Sequence, residues 1–422
     1  MVQIFAVKGC KDILPQEVAN WRFLEEEARA FFGRFGIKEI RTPLLEKTEL
    51  FARGIGAATD IVEKEMYSFI DRGEESLSLR PEATASVIRA YIEHALYKVE
   101  PASKLFTIGP MFRRERPQKG RFRQFHQINV EYLGFDDYRF DGEVIFLAVQ
   151  YLKNVGLTEF KLELNTLGCP HCRLPFREAL SHFLMSREKE LCSDCQRRVT
   201  TNPLRVLDCK RDTCRAITEE APTIGAYLCN DCKRHFIGVR EVLAEFGLSY
   251  HLNHRLVRGL DYYTKTAFEI TTPALGAQNA VAGGGRYNGL VAALGGPDVA
   301  GIGFAVGMER LLSLLPPPAA SRETRPHLFI AALGEEPYRK AFALSNYLRL
   351  NGFYVEMDLP GKSLKSQMKR ADKLKSRFVL FLGDKELLER KATLRDMDTG
   401  NQEVVTFIEG REEILNFLKR YE

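Results

Sequence analysis

Between Arg113 and Arg123 the chain places five arginines and one lysine against a single acid, Glu115, a local charge of +5 that equals the formal net charge of all 422 residues. A planar guanidinium offers a two-pronged hydrogen-bond fork to phosphate or carboxylate oxygens, so this density points to an anionic ligand. Phe125, just beyond, can stack on a base. A second cluster, HRLVRGLDYYTKTAFEI, sets Arg258, Asp261, Tyr262 and Tyr263 within six residues. It combines charge, counter-charge and two hydroxyl donors, which suits the orienting of a small polar ligand. Plainer readings exist for both: a solvated hairpin with an ion-pair fringe, and an Arg258–Asp261 pair with packed tyrosines.

A third pattern is metallic. Cys10 stands alone, while the other eight cysteines fall between 169 and 232 as CPHC, CSDC, CKRDTC and CNDC. Close-spaced pairs in a reducing compartment hold soft metal ions, and eight thiolates make two tetrahedral sites. Sequence order makes Cys169, Cys172, Cys192 and Cys195 the first and Cys209, Cys214, Cys229 and Cys232 the second. A cross-braced pairing fits the same arithmetic. His171 reads as a spacer inside CPHC. Zinc suits thiolates, an iron–sulfur cluster would use the same ligands, and a metal-free reduced domain is the plain alternative.

The elements that must carry these groups follow from pattern. Residues 18–35 repeat apolar side chains at helical spacing and close at Gly36. IRTPLLE reads as a short extended stretch whose Pro43 suits an edge or interface. LSLRPEATASVIRAYIEHAL reads as a strand to Arg80 and a helix opening after Pro81, which puts Glu82 and Thr84 at the boundary. KLFTIGPMFRRE and RFRQFHQINVEYLGF alternate around a tip at 114–120 and predict a hairpin. On its return strand Arg121, Arg123, Phe125, Gln127, Asn129 and Glu131 share one side, and Phe122, Gln124, His126, Ile128, Val130 and Tyr132 the other. VAGGGRYNGLV and GIGFAVGMERLL are Gly-rich, fit for close approach to a ligand or for tight turns.

After a proline-rich stretch, 316–327, strands and helices alternate, predicting a separate α/β domain. Within it Lys362, Lys365, Lys369 and Lys373 recur at helical spacing beside a stripe of Leu364, Met368, Ala371 and Leu374. This is a solvated face or one that attracts a phosphate backbone. Composition narrows the class. With 45% apolar and 28% charged residues the chain is that of an ordered soluble protein. No apolar run reaches a membrane span, and the start does not read as a signal peptide, so a cytoplasmic location is expected. Neither GxxxxGK[ST] nor a well-placed GxGxxG occurs, which argues against the commonest nucleotide cradles without excluding ATP.

Taken together, the segments IRTPLLE, FRRERPQKGRFRQFHQ and GIGFAVGMERL, in that order, resemble the three signatures of class II aminoacyl-tRNA synthetases. LVRGLDYYT, AGGGRYNGL and NPLRVLDCK are similar to segments of bacterial-type histidyl-tRNA synthetases, and GCKDILP extends the resemblance to the start. The resemblance implies an α/β (α+β) chain: an antiparallel-sheet catalytic domain in two parts, 1–165 and 237–318, a Cys-rich insertion at 166–236, and an anticodon-binding domain at 326–422. It implies ligation of L-histidine to histidine tRNA through a histidyl-adenylate, by a homodimer using ATP with Mg2+. Arg113 and Arg258 would act on the α-phosphate. Arg121 would meet the outer phosphates, Phe125 and Glu115 the adenine, and Arg310 would clamp ATP from the opposite side. Glu131 and Tyr263 would read the imidazole, Glu82, Thr84 and Gln127 would hold the α-amino group, and Tyr262 would join the histidine-binding set. The four lysines would face tRNA. Two departures stand out: the family's frequent PEGTA is PEATA here, with Ala83, and its GGRYDGL is GGRYNGL, with Asn288.

Two rival functions fit parts of the chain. A regulatory paralogue serving ATP phosphoribosyltransferase typically lacks the C-terminal domain and degrades the arginine motifs, and here both are intact. A non-catalytic zinc-dependent nucleic-acid-binding protein leaves Glu82, Gln127, Glu131 and the tyrosines unexplained. If zinc is present, its removal is expected to injure tRNA charging more than pyrophosphate exchange, since no cysteine is assigned to the substrate pocket.

Overall fold

The computed structural model describes residues 3–56, 59, 61–118, 120–276, 279–316, 325–406 and 411–421. Most of the proline-rich stretch, 317–324, lies outside them. The chain forms two compact units, Met1–Pro317 and Pro318–Glu422.

In the first unit, strands Ser103–Phe112, Gln124–Leu133, Gly301–Gly307, Ala280–Arg286, Thr264–Thr271 and Lys161–Thr166 pair antiparallel in that spatial order, and short parallel strands close both edges of an eight-stranded sheet. Alternation decides what each face sees. Ile128, Val130 and Tyr132 turn into the main core, where helices Pro15–Gly33 and Tyr138–Asn154 bury Leu24, Phe32, Leu147 and Tyr151 against them. Asp137 caps the second helix by accepting from Arg139 N at 2.8 Å. His126 shares that side, edge-on to Trp21. Phe125, Gln127, Asn129 and Glu131 consequently face the opposite side, left for the site.

The hairpin tip is wider than its sequence pattern. Pairing in the strands ends at Phe112 and Gln124, so Arg121 and Arg123 belong to the tip, which Arg113 N ties to Arg123 O at 2.9 Å. The helix after Pro81 also starts later, at Thr84, with Ala83 in the N-cap position. Pro81 is therefore no first-turn residue. The Glu82 carboxylate serves the orphan donors instead, accepting from Thr84 N at 2.7 Å and Ala85 N at 2.9 Å. The two Gly-rich segments are neighbouring strands in mid-sheet rather than turns.

Residues 170–232 form a helical insertion with its own apolar core, including Phe176, Leu180, Val199, Val206 and Ile217. In the second unit a five-stranded sheet runs Val355–Met357, Leu328–Leu333, Phe378–Gly383, Lys391–Asp396, Gln402–Thr406. The first three strands are parallel and the last two antiparallel. Helix Leu364–Lys373 leaves Lys365, Lys369 and Lys373 exposed, as is Lys362 before it. The expected apolar stripe is corrected at one place. Leu364 is exposed, and buried Gln367 takes the inward position, its amide exchanging hydrogen bonds with both backbone groups of Ala332 at 2.8 and 3.1 Å. A satisfied amide can occupy a core position because both halves of it find partners.

Candidate active site

Above the antiparallel sheet a cleft is lined by Arg113, Glu115, Arg121, Phe125 and Gln127 from the hairpin, Arg258 and Glu269, the strand backbone at 280–283, and Arg310. The arginines are held at spread angles. Arg113 donates from Nε to Pro81 O at 2.8 Å, and its guanidinium lies 5.2 Å from the centre of the Phe125 ring. Arg121 pairs with Glu115 at 2.9 Å. Arg310, at the start of the short helix after Gly307, donates to Gly120 O and Ala280 O. It therefore pins the hairpin tip over the cleft.

Arg258 approaches from the loop that precedes strand Thr264–Thr271, pairing with Glu269 at 2.8 Å beside Tyr263. Burial opposes its charge, but Tyr263, Glu269 and Tyr262 outweigh burial and raise its pKa, so the guanidinium is a fixed cation. Gly283 makes room for it. A Cβ there would sit 2.6 Å from Arg258 Nη1.

Deeper on the same face lies a small polar chamber. Thr84 Oγ1 donates to Glu131 Oε1 at 2.6 Å, and the Tyr287 hydroxyl donates to the other oxygen. Gly303, opposite Glu131 in the strand pairing, has no Cβ to crowd that carboxyl. Burial pushes the Glu131 carboxyl up to about 8, with neighbouring Glu82 adding to the effect. Burial likewise raises Glu82, against the Thr84 and Ala85 hydrogen bonds. Tyr262 and Tyr263 lie close by with their rings tilted to each other, centres 4.7 Å apart, and burial raises the pKa of both hydroxyls, which stay protonated. The amide oxygen of Gln127 is buried with no protein partner, as is Arg258 Nε. Unsatisfied polar atoms of this kind are costly unless a ligand meets them.

The eight cysteines form two groups. One is Cys169, Cys172, Cys229 and Cys232, the other Cys192, Cys195, Cys209 and Cys214, each with its sulfurs within 4.8 Å of one another. Pairing by sequence order is thereby overturned, and the arrangement is nested rather than cross-braced. The reason is topological: the insertion departs just after strand Lys161–Thr166 at Cys169 and ends at Cys232, where helix Asn230–Glu245 begins and carries the chain back along the first unit's core, so its first and last pairs meet at the base. Cys169, Cys192 and Cys229 are N-caps, which places the second cysteine of each CxxC in the first helical turn. Cys192 N donates to Cys214 Sγ at 3.3 Å and Cys229 N to Cys172 Sγ at 3.2 Å. His171 belongs to neither group.

The family model for histidyl-tRNA synthetase matches residues 9–172 and 215–311, and that for the anticodon-binding domain matches 327–417. The histidine-tRNA ligase of Geobacter metallireducens is 55% identical over 399 residues, covering 94% of this chain and 96% of that protein. That of Syntrophotalea carbinolica is 53% identical over 414 residues, covering 98% of each. Among solved structures, the histidyl-tRNA synthetase of S. aureus, in its apo form, superimposes with a TM-score of 0.81 at 36% identity, covering 99% of this chain and all of that one. The chain belongs to the histidyl-tRNA synthetase family. Its large antiparallel sheet is the class II synthetase catalytic fold, and residues 327–417 are its anticodon-binding domain.

Several residues of this synthetase fold were not singled out in the sequence. Tyr287, inside AGGGRYNGL, holds Glu131, and Glu269 holds Arg258; Glu269 lies on strand Thr264–Thr271 at the place where Gly283 pairs with it. The motif named the strand but not which side chain crosses beneath it. Asn288, the residue after Tyr287, directs its hydrogen bonds away from the chamber: it accepts from Arg286 Nη1 and Gly301 N and donates to Asp136. Ala83 is wholly buried at the helix start. The family model's matched segments include all four cysteines of the base group, whereas the second group falls in or at the edge of the unmatched 173–214.

Proposed function

We propose that this chain ligates L-histidine to histidine tRNA, activating the amino acid as histidyl-adenylate at the cleft and releasing pyrophosphate and AMP. The observation that carries the reading is the convergence of two fixed guanidiniums, Arg113 and Arg258, at the mouth of a chamber built from Glu131, Thr84 and Glu82. In this assignment Arg113 and Arg258 are the catalytic residues. Both sit where negative charge would grow on the α-phosphate as the histidine carboxylate attacks, so they stabilise the transition state more than bound ATP. The chemistry needs alignment and charge, not a protein nucleophile. Phe125 stacks on adenine with Glu115 beside it, Arg121 takes the outer phosphates, and Arg310 clamps the far side. Mg2+ accompanying the outer phosphates of ATP would supply charge to the departing pyrophosphate; Glu115 is engaged by Arg121 and Glu269 by Arg258, so the ion would be held chiefly by the phosphates themselves.

Glu131 reads the imidazole, with Tyr262 and Tyr263 closing the chamber, while Gln127, Glu82 and Thr84 take the α-amino group. Selectivity then rests on hydrogen bonds that an amide or phenyl side chain would leave unmade, at about 1 to 3 kcal/mol for each buried group stranded. The domain division at 1–165, 166–236, 237–318 and 326–422 belongs to the same reading. Lys362, Lys365, Lys369 and Lys373 meet the tRNA backbone from the second unit. We assign the active form as a homodimer, supported by the half-exposed Leu44 and Leu45 in the proline-bearing segment. A cytoplasmic location follows from the reaction, and among the described residues no helix is long and apolar enough to cross a membrane.

Zinc fits both cysteine groups. Four thiolates at a Zn–S distance of about 2.3 Å stand roughly 3.8 Å apart in a tetrahedron. The Cys169–Cys172, Cys169–Cys229 and Cys192–Cys209 sulfur separations are 3.5, 4.0 and 3.9 Å. Each site would hold together segments that share only a small core. The deciding experiment is histidine-dependent exchange of pyrophosphate into ATP, followed by charging of histidine tRNA. Absence of the exchange would overturn the assignment.

A further inference from the structure

The loop that carries Arg258 packs Leu260, Tyr262 and Tyr263 toward the catalytic unit and Val257 against the insertion, and its backbone and polar groups are held from both sides. It lies between strands His251–Leu252 and Thr264–Thr271, and Asn165 and Ile55 hold its two ends through hydrogen bonds to Leu256 O and from Asp261 N. Its middle is held from the insertion. Arg205 Nη1 donates to Arg258 O at 3.2 Å, Asn202 Nδ2 donates to Asp261 Oδ1 at 3.3 Å, and Leu207 O accepts from Arg255 at 3.4 Å. All three come from one short segment, around the turn of 3-10 helix Pro203–Val206. That segment joins Cys195 to Cys209, both in the second cysteine group, so its two ends converge on one point. Val199, Val206 and Leu207 are its main apolar anchors in a small core shared with Cys195 and Cys214.

We infer that a zinc ion bound by Cys192, Cys195, Cys209 and Cys214 positions Arg258 for histidine activation, acting through Asn202 and Arg205. This rests on the proposed function for the role of Arg258, but the mechanical link does not. Without the metal, the only covalent restraint on the 196–208 loop is the chain itself, and the donors that fix the Arg258 backbone lose their footing. The Arg258–Glu269 pair persists, so the arginine stays in the cleft but is less well aimed. Asn202 and Arg205 are positioning residues. Misplacement of an aligned group lowers the rate of the chemical step while leaving ground-state affinity largely intact. The expectation from sequence, that metal loss injures tRNA charging more than pyrophosphate exchange, therefore does not extend to this site. It stays in force for the base group, Cys169, Cys172, Cys229 and Cys232, which adjoins the sheet through Gly168 and Lys265 and reaches the 256–263 loop through the charge of Arg173 near Asp261, not through a backbone hold on Arg258.

The test uses full-length protein. Cys209→Ser/Cys214→Ser should retain about one zinc where the wild type holds two, exchange backbone amides of residues 256–263 faster with solvent deuterium, and form adenylate about tenfold more slowly in single turnovers, with KM for histidine within about twofold. Should the cysteine variant fail to fold, Asn202→Ala/Arg205→Ala keeps both metal sites and should show the same faster exchange and slower activation. Arg205→Lys, which keeps a donor, should recover part of the rate. Combining the cysteine and the Asn202/Arg205 changes should add little to either alone. Wild-type amide protection across 256–263 in the one-zinc or the Asn202/Arg205 protein overturns the inference, as does a wild type with no metal on these four cysteines. A wild type that holds zinc but makes no histidyl-adenylate refutes the proposed function instead, and the deuterium measurement still reads the link.

Discussion

Arg258 shows most directly how a single side chain is placed for chemistry. It is largely shielded from solvent, charged, aimed by Glu269 and given space by a missing Cβ, which is what electrostatic stabilisation of a transition state requires. Arg258→Ala is expected to leave folding and most histidine affinity intact and to lower adenylate formation by about a hundredfold, read in a single-turnover assay. Glu131 makes a different kind of prediction. Its carboxyl titrates near 8 in the folded protein against an ordinary value of 4.5, so between those values the native state keeps a proton that the unfolded chain has released. Stability from this group is complete at low pH and is lost as pH rises toward 8. Urea unfolding of the ligand-free protein from pH 5 to 8 should therefore show a downward slope that Glu131→Gln flattens; parallel slopes for the two proteins would contradict the burial argument.

Among the elements, the antiparallel strands were the most readable, because a period of two assigns each side chain a face regardless of what lies beyond. Phe125, Gln127 and Glu131 emerge together for that reason, opposite the core residues Ile128, Val130 and Tyr132. Other features depend on partners distant in sequence and could not be read locally. The start of the helix at Thr84 is set by the Glu82 carboxylate, Gln367 is inward because Ala332 offers both a donor and an acceptor, and the nesting of the cysteines follows from where the insertion returns to the sheet. Tyr287 and Glu269 escaped notice because their roles are defined by crossing strands. The glycine strand gives a test at this scale. Gly283 is beneath Arg258 and opposite Glu269, and it has no positive φ to protect. Gly283→Ala should keep the thermal midpoint near that of the wild type yet reduce activation by about tenfold or more, since its methyl group displaces the guanidinium and not the backbone. A large loss of stability with normal activity in the surviving folded protein would show that the strand, not the arginine, needs the glycine.

At the level of the whole molecule, the labour divides between two units with separate cores. The first contains the cleft, the chamber and both cysteine groups; the second has its own sheet, with Leu328, Ile330, Leu344, Phe378, Leu380 and Phe417 packed into one core. None of the residues assigned to histidine or ATP comes from the second unit. Each unit packs a core of its own, and the first is large enough to bury a sizeable core alone. Histidine-dependent pyrophosphate exchange by a protein ending at residue 320 is accordingly expected to stay within about threefold of the full chain, because the transition-state contacts all remain. Charging of tRNA should fall far more, since the exposed lysines of helix Leu364–Lys373 and the rest of the anticodon-binding domain are lost along with their contribution to binding a polyanion. Raising the tRNA concentration should recover part of the charging rate, as expected when affinity and not chemistry has been removed. Equal loss of exchange and charging in the truncated protein would mean instead that the second unit supports the catalytic fold itself.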